Sequence, residues 1–239
     1  MAKTQTSPEG IWKLEGIIFC TIAGAIISLV VLVIVQSIRM EKKRNLLIEQ
    51  LAETLGFDYT AKLRDVEKMP CSSGALFNRG RSRSAKNVMT GKVADVDVQL
   101  MDYQYTTGSG KHSTTHRMAV AAYKVPGLKI PNFALERENF LSRIADKFGF
   151  SDINFESHPK FSDAFQLKGK AKQAIRAFFT PALLTQIENG LIQKDWNVQA
   201  GGSWLIIYTT NGHIKPEELQ TYLNRSFDLM NRLTAAVSA

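Results

Sequence analysis

The sequence predicts an α+β protein: a single N-terminal transmembrane helix followed by a β-rich lobe and a ββαββα lobe. Three observations carry that expectation. They are an uncharged apolar run at residues 16–35, strand-like apolar alternation through the middle of the chain, and helix-period stripes mixed with short strands in its last third. The 239 residues are 44% hydrophobic and 22% charged, as in globular chains, and 16 Gly and 7 Pro exclude a fibrous or low-complexity chain. Two cysteines cannot build a disulfide framework, which excludes a stapled extracellular scaffold. The net charge of +8 suits an anionic partner, either nucleic acid or a lipid surface.

Residues 1–15 read as a short non-cytoplasmic N-terminus and 16–38 as the transmembrane helix. The run GIIFCTIAGAIISLVVLVIV holds no charge from 16 to 35, and at about 1.5 Å per residue it spans the roughly 30 Å hydrocarbon core. It exceeds the ~7–15 residues of a signal-peptide core, and QSIRMEKKR after it offers no small-residue cleavage site. Lys3 and Lys13 precede the run while Arg39, Lys42, Lys43 and Arg44 follow it. The more basic flank stays inside, so the expected address is the bacterial cytoplasmic (inner) membrane, with the N-terminus out and the body cytoplasmic. A cytoplasmic body also fits Cys71 as a thiol in a reducing compartment. Gly16, Cys20, Gly24 and Ser28 recur every fourth residue and make a small-residue face for helix association. The expected partners are therefore the lipid bilayer and either another protein or a second copy of the chain.

Residues 39–56 predict a juxtamembrane amphipathic helix with Leu47, Ile48, Leu51 and Leu55 on its stripe and Gly56 as its stop. Residues 57–150 form the expected β-rich lobe. NVMTGKVADVDVQLMDYQY and THRMAVAAYKV, joined by TTGSGKHS, predict a long hairpin, and the apolar face of the first switches near Leu100–Asp102, the signature of a bulge. The return strand is apolar on both faces and should be central. A helix over about 137–148, with Phe140, Leu141, Ile144 and Phe148 on one side, closes the lobe.

Residues 151–239 form the expected α+β lobe. Strands are predicted near Ile153–Phe155, Ala164–Leu167, Trp196–Gln199 and Trp204–Tyr208, with a turn at Ala200–Gly202. A helical stretch from Ala171 is broken at Thr180–Pro181, and a last helix runs over Pro216–Ala236. Phe161, Phe165, Arg176, Thr180 and Pro181, within Asn154–Gln186, together with the SWLIIY strand, resemble the core of an uncharacterised bacterial family. Its members carry N-terminal membrane segments and an α+β domain of unknown function. The resemblance implies a fold and a membrane address and adds no chemistry.

No catalytic constellation stands out. GSGKHS lacks the first glycine of a phosphate loop and is flanked by strand patterns on both sides. His112 and His116 are about 13 Å apart on an extended strand, too far to share one metal ion. Asp95 and Asp97 read as solvated strand positions, and Cys71 lacks a local activating partner, His158 being the distant candidate. No cofactor or metal site is expected. Arg79, Arg81, Arg83 and Lys86 form a cationic strip suited to anionic headgroups, each cation near a leaflet contributing about 1 kcal/mol. The strip has no interleaved aromatics for base stacking, which argues against nucleic acid. The functional expectation is a non-enzymatic binding or scaffolding module for a membrane partner or anionic leaflet. The enzyme alternative gathers Asp102, His116 and Tyr123 around the 96–123 hairpin.

Overall fold

The computed structural model describes residues 8–125, 127, 130–137, 152–210 and 212–238, with side chains at 19 and from 21 to 235 within those ranges. Two compact units divide at Leu46/Leu47. The first is helical, the greater part of α1 (Pro8–Thr54). Large apolar side chains from Phe19 through Ile38 are exposed, Phe19 at 75% and Leu32 at 61%. A helix that is apolar all round requires an apolar surrounding, and no protein buries the most apolar stretch of this one. Among the described residues, it is a helix near the N-terminus long and apolar enough to cross a membrane.

The second unit opens with the last turns of α1. Ile48 and Ala52 are buried and Leu51 and Leu55 pack beside them, the expected stripe except for Leu47, which is exposed. Gly56 ends the helix with φ +68, and the Phe57 amide donates to the Ala52 carbonyl. Such a left-handed stop favours glycine because it lacks Cβ.

Eight strands follow: β1 (Asp58–Leu63), β2 (Arg81–Val93), β3 (Val96–Thr107), β4 (Thr114–Lys124), β5 (Phe133–Arg137), β6 (Phe165–Lys168), β7 (Trp196–Gly201) and β8 (Trp204–Thr209). They form one antiparallel sheet in the order β1-β2-β3-β4-β8-β7-β5-β6. Strands of 57–150 and 151–239 thus share a sheet, because β8 pairs with β4 and β7 pairs with β5. The α+β class holds. Among the described residues, helices α2 (Pro159–Ala164), α3 (Lys172–Phe178), α4 (Pro181–Glu188) and α5 (Pro216–Ser238) also belong to the unit.

Each sheet face has its own core. The first face carries Val98, Leu100, Ala121, Tyr123, Leu135, Val198 and Ile207 under α5, the end of α1 and α2–α4. The second carries Met101, Tyr103, Tyr105, Val120, Ile206 and Tyr208 under a loop with Val66, Met69, Cys71, Leu76 and Phe77. This explains the double apolar alternation of β4, which lies inside the sheet. It also explains the switch on β3, where Leu100 and Met101 serve opposite cores. The bulge lies on the neighbour: β2 inserts an extra residue opposite Leu100–Asp102, with Asn87 at φ 50.

The run 87–105 is two strands and a turn. Val93 pairs with Val96 around Ala94 and Asp95, whose φ values are 44 and 64. Both central residues in the left-handed region make the tight turn whose twist suits a hairpin. Ile153–Phe155 is not a strand. The Asp152 carboxylate accepts from the amides of Ile153 and Leu167, and the Ile153 amide donates to the Leu167 carbonyl in place of a ladder. The Thr180–Pro181 break is present: the Thr180 hydroxyl accepts from the Leu183 amide at 3.3 Å and Pro181 opens α4. Arg137 ends β5, and the remainder of the helix expected over 137–148 lies outside the described residues.

Candidate functional site

A cleft of about 320 Å³ opens where the start of β7, the end of β8 and the first turns of α5 meet. Glu217, Glu218, Thr221, Tyr222 and Arg225 line it from α5, their spacing of three and four placing them on one helix face. Asp195 and Trp196 come from the approach to β7, Thr209 from β8, and His213 and Ile214 from the link to α5. Trp196 and Tyr222 are buried and meet edge to face with ring centroids 5.3 Å apart. The Tyr222 hydroxyl donates to the Ile207 carbonyl at 3.0 Å, and burial pushes its pKa well above the ordinary tyrosine value, so it is a fixed packing group.

His213 connects the cleft to the sheet. Its Nδ1 lies 3.9 Å from Oδ2 of the buried Asp102. That same oxygen accepts from Asn87 Nδ2 at 2.9 Å, and Asn87 Oδ1 accepts from the Tyr59 hydroxyl at 2.7 Å. The β2 bulge turns Asn87 into this chain, which runs from the edge strand to the cleft wall. The Thr209 hydroxyl donates to the Gly212 carbonyl. The lining sets charged and hydrogen-bonding side chains around the buried Trp196–Tyr222 pair.

On the second face a polar network is sealed. Arg79 and Glu136, 5% and 2% exposed, pair at 2.5 Å. The Tyr208 hydroxyl also donates to Glu136, and Gln199 Nε2 donates to it at 2.9 Å. Gln199 Oε1 accepts from the Leu76 amide at 2.8 Å, tying the covering loop to β7. Burial works against the charge on Arg79, while Tyr208, Glu136 and Tyr105 act the other way and raise its pKa above the ordinary arginine value. Gly80 follows with φ +58, where a Cβ would collide with the Thr106 carbonyl.

The cationic strip is not brought together. Arg79 is inside the protein with Glu136, Arg83 pairs with Glu67 at 2.7 Å, and Lys86 stands opposite Asp102 in the ladder. Arg81 is exposed. The alternation assumed for this segment fails because β2 shifts register between Arg81 and Ser84, with Ser82 at φ 52. Of the helix-association residues, Gly16 and Cys20 lie outside the described side chains, Ser28 is exposed, and a Cβ on Gly24 would meet nothing within 4 Å.

The hairpin set is also dispersed. Tyr123 faces the first core, and His116 lies on the other side of β4, stacked on Tyr105 at 4.9 Å with Nε2 2.8 Å from the Thr107 hydroxyl. Burial and the charge of Arg79 lower its pKa. Asp102 pairs with Ala119 and Tyr123 with Val98, about 13 Å apart along the ladder. His112 lies in a turn of 3-10 helix over Gly110–His112, with strands on either side. Asp97 pairs with Lys92 at 2.9 Å. His158 is committed to Glu188 at 3.1 Å, and burial pushes the Cys71 thiol up to about 12. Among the described residues, no group of three or more His, Cys, Asp or Glu is placed to hold a metal ion. The cleft itself escaped the sequence reading, its one local cue being the acidic first turn of α5.

The fold class and this cleft describe a mixed α+β body after an apolar helix. No family model matches the chain, and no curated protein matches it. Among solved structures, the fold is similar to the crystal structure of the mycobacterial trehalose monomycolate transport factor A, TtfA, with a TM-score of 0.56. The match covers 82% of this chain and 94% of that one at 12% sequence identity, so the likeness is one of fold.

Proposed function

We propose that this chain is a single-pass membrane-anchored binding module whose body holds a membrane partner protein rather than catalysing a reaction. The exposed apolar helix carries the reading: about 20 apolar residues is the length that spans a bilayer. Arg39, Lys42, Lys43 and Arg44 after it orient the body to the cytoplasmic side of the inner membrane. The Tyr222 hydroxyl in the cleft is a packing group, buried and donating to the Ile207 carbonyl. The fold shared with a transport factor suits an accessory role beside a membrane transport process, a role that for this chain rests on fold likeness alone.

Two measurements test the proposal. A reporter fused at Ala239 that is active only in the cytoplasm is the expected result, and one active only outside overturns the orientation. Affinity capture from detergent-solubilised membranes should recover a stoichiometric membrane protein. Recovery of the chain alone, with turnover of a small molecule abolished by Asp102→Asn, overturns the binding reading.

A further inference from the structure

We propose that the open end of the first sheet face, over β1–β4, is a docking surface for the phosphate headgroups of an anionic leaflet. The first core stops at Leu100 on β3 and Ala119 on β4. Beyond them the ladder continues along the same face in polar rows, since directly paired residues share a face. In the row nearest the core, Lys62, Lys86 and Asp102 stand opposite one another. Two residues on, Gln104 pairs with Arg117, and beyond that Arg81 pairs with Thr106, whose hydroxyl meets that of Thr115 at 3.1 Å. Lys62, Arg81 and Arg117 are exposed. Asp102 is the single carboxylate in these rows, and it is buried and bonded by Asn87.

The two faces treat charge differently. On the second, Arg79 and Arg83 each meet a carboxylate, Glu136 and Glu67. On the first, none of Lys62, Arg81 and Arg117 makes an ion pair among the described residues, and Lys62 stands directly opposite Lys86. Like charges set opposite cost stability, so an anion from outside the chain relieves the juxtaposition. The cations are spread over a plane. From β1 to β4 there are three strand spacings of about 4.8 Å, and the partners of Arg81 and Lys86 lie four residues apart on β3, about 13 Å. Such a surface meets several phosphates at once, as a leaflet presents them. Tyr59 bonds Asn87 and packs on the first core, and the rows hold no ring on which bases could stack, which argues against nucleic acid. The inference rests on the membrane anchoring proposed above, which keeps this surface within reach of headgroups.

The test displays the full chain in nanodiscs of phosphatidylcholine and measures its cosedimentation with vesicles added in trans. Phosphatidylglycerol vesicles should bind it and phosphatidylcholine vesicles should not, with affinity falling as salt is added. Each cation near a leaflet contributes about fivefold in affinity, so Lys62→Ala/Arg81→Ala/Arg117→Ala should bind roughly a hundredfold more weakly. Lys62→Arg/Arg81→Lys/Arg117→Lys keeps the charge and should bind as the parent does. Lys160→Ala/Lys170→Ala/Lys194→Ala removes the same charge from exposed positions elsewhere and should bind nearly as well as the parent. Undiminished binding by the first variant, an equal loss in the last, or tighter binding of single-stranded RNA than of the vesicles overturns the proposal. A chain that stays soluble without nanodiscs overturns the anchor and this surface with it; an inserted chain that ignores the vesicles overturns the surface alone.

Discussion

The hydroxyls of Tyr123 on β4 and Ser226 on α5 meet at 2.6 Å beneath the last helix. Ser226 is fully buried and donates to the Tyr222 carbonyl at 2.7 Å, so the pair pins α5 across the middle of the sheet. Tyr123→Phe keeps the ring and removes the link. A buried hydrogen bond of this kind contributes about 0.5–1.5 kcal/mol, and chemical denaturation should show a loss in that range.

The Arg79–Glu136 pair should dominate local stability. Glu136→Gln leaves a buried guanidinium without its counter-charge, which costs about 3–5 kcal/mol. Arg79→Met/Glu136→Leu removes both charges and should cost less than the single change, because no buried ion is left uncompensated. Urea denaturation of the three proteins checks the order. A double variant less stable than Glu136→Gln would show that the polar network itself specifies the packing of the loop.

Much of this architecture was legible before any coordinates. The two-faced apolar pattern of β4 marked it as a strand inside the sheet, and Thr180–Pro181 marked a helix start. The β2–β3 turn was not legible, because Ala94 and Asp95 adopt positive φ without the glycine that normally announces such a turn. Arg79 looked like surface charge because its partner Glu136 is distant in sequence and near only after the sheet forms. The cleft was hidden for the same reason, since Asp195 and Glu217 converge only when α5 lies along β7 and β8.

Cys71 should be unreactive in the folded chain. The thiol is buried, and burial pushes its pKa up to about 12, so the nucleophilic thiolate is scarce at neutral pH. In a Cys20→Ser background, a thiol reagent at pH 8 should label Cys71 only after denaturant is added. Rapid labelling of the native chain would show that the loop over the second face opens readily.

Glu188 predicts an acid-sensitive joint between two short helices. Its Oε1 accepts from the Phe161 amide at 3.1 Å in the first turn of α2, and its Oε2 faces His158 Nδ1. The His158 hydrogen bond, chiefly, holds the Glu188 pKa below its ordinary 4.5. A depressed carboxylate contributes stability that is fully present above the unfolded pKa and is lost as pH falls through the folded one. The stability difference between the parent and Glu188→Gln should therefore be constant above the ordinary carboxylate range and shrink as the medium becomes more acidic. A difference independent of pH down to the acid transition would remove the charge from this joint.

The sheet order also sets a timetable for assembly. During synthesis β1 to β4 emerge first and can zip into a meander by local pairing, leaving β4 as an open edge. The β7–β8 hairpin that covers this edge is made far later, and β5 and β6 can join the sheet only through it. Exposed edges recruit other strands, so the interval between completing β4 and releasing β8 from the ribosome is when this chain is most open to misassembly.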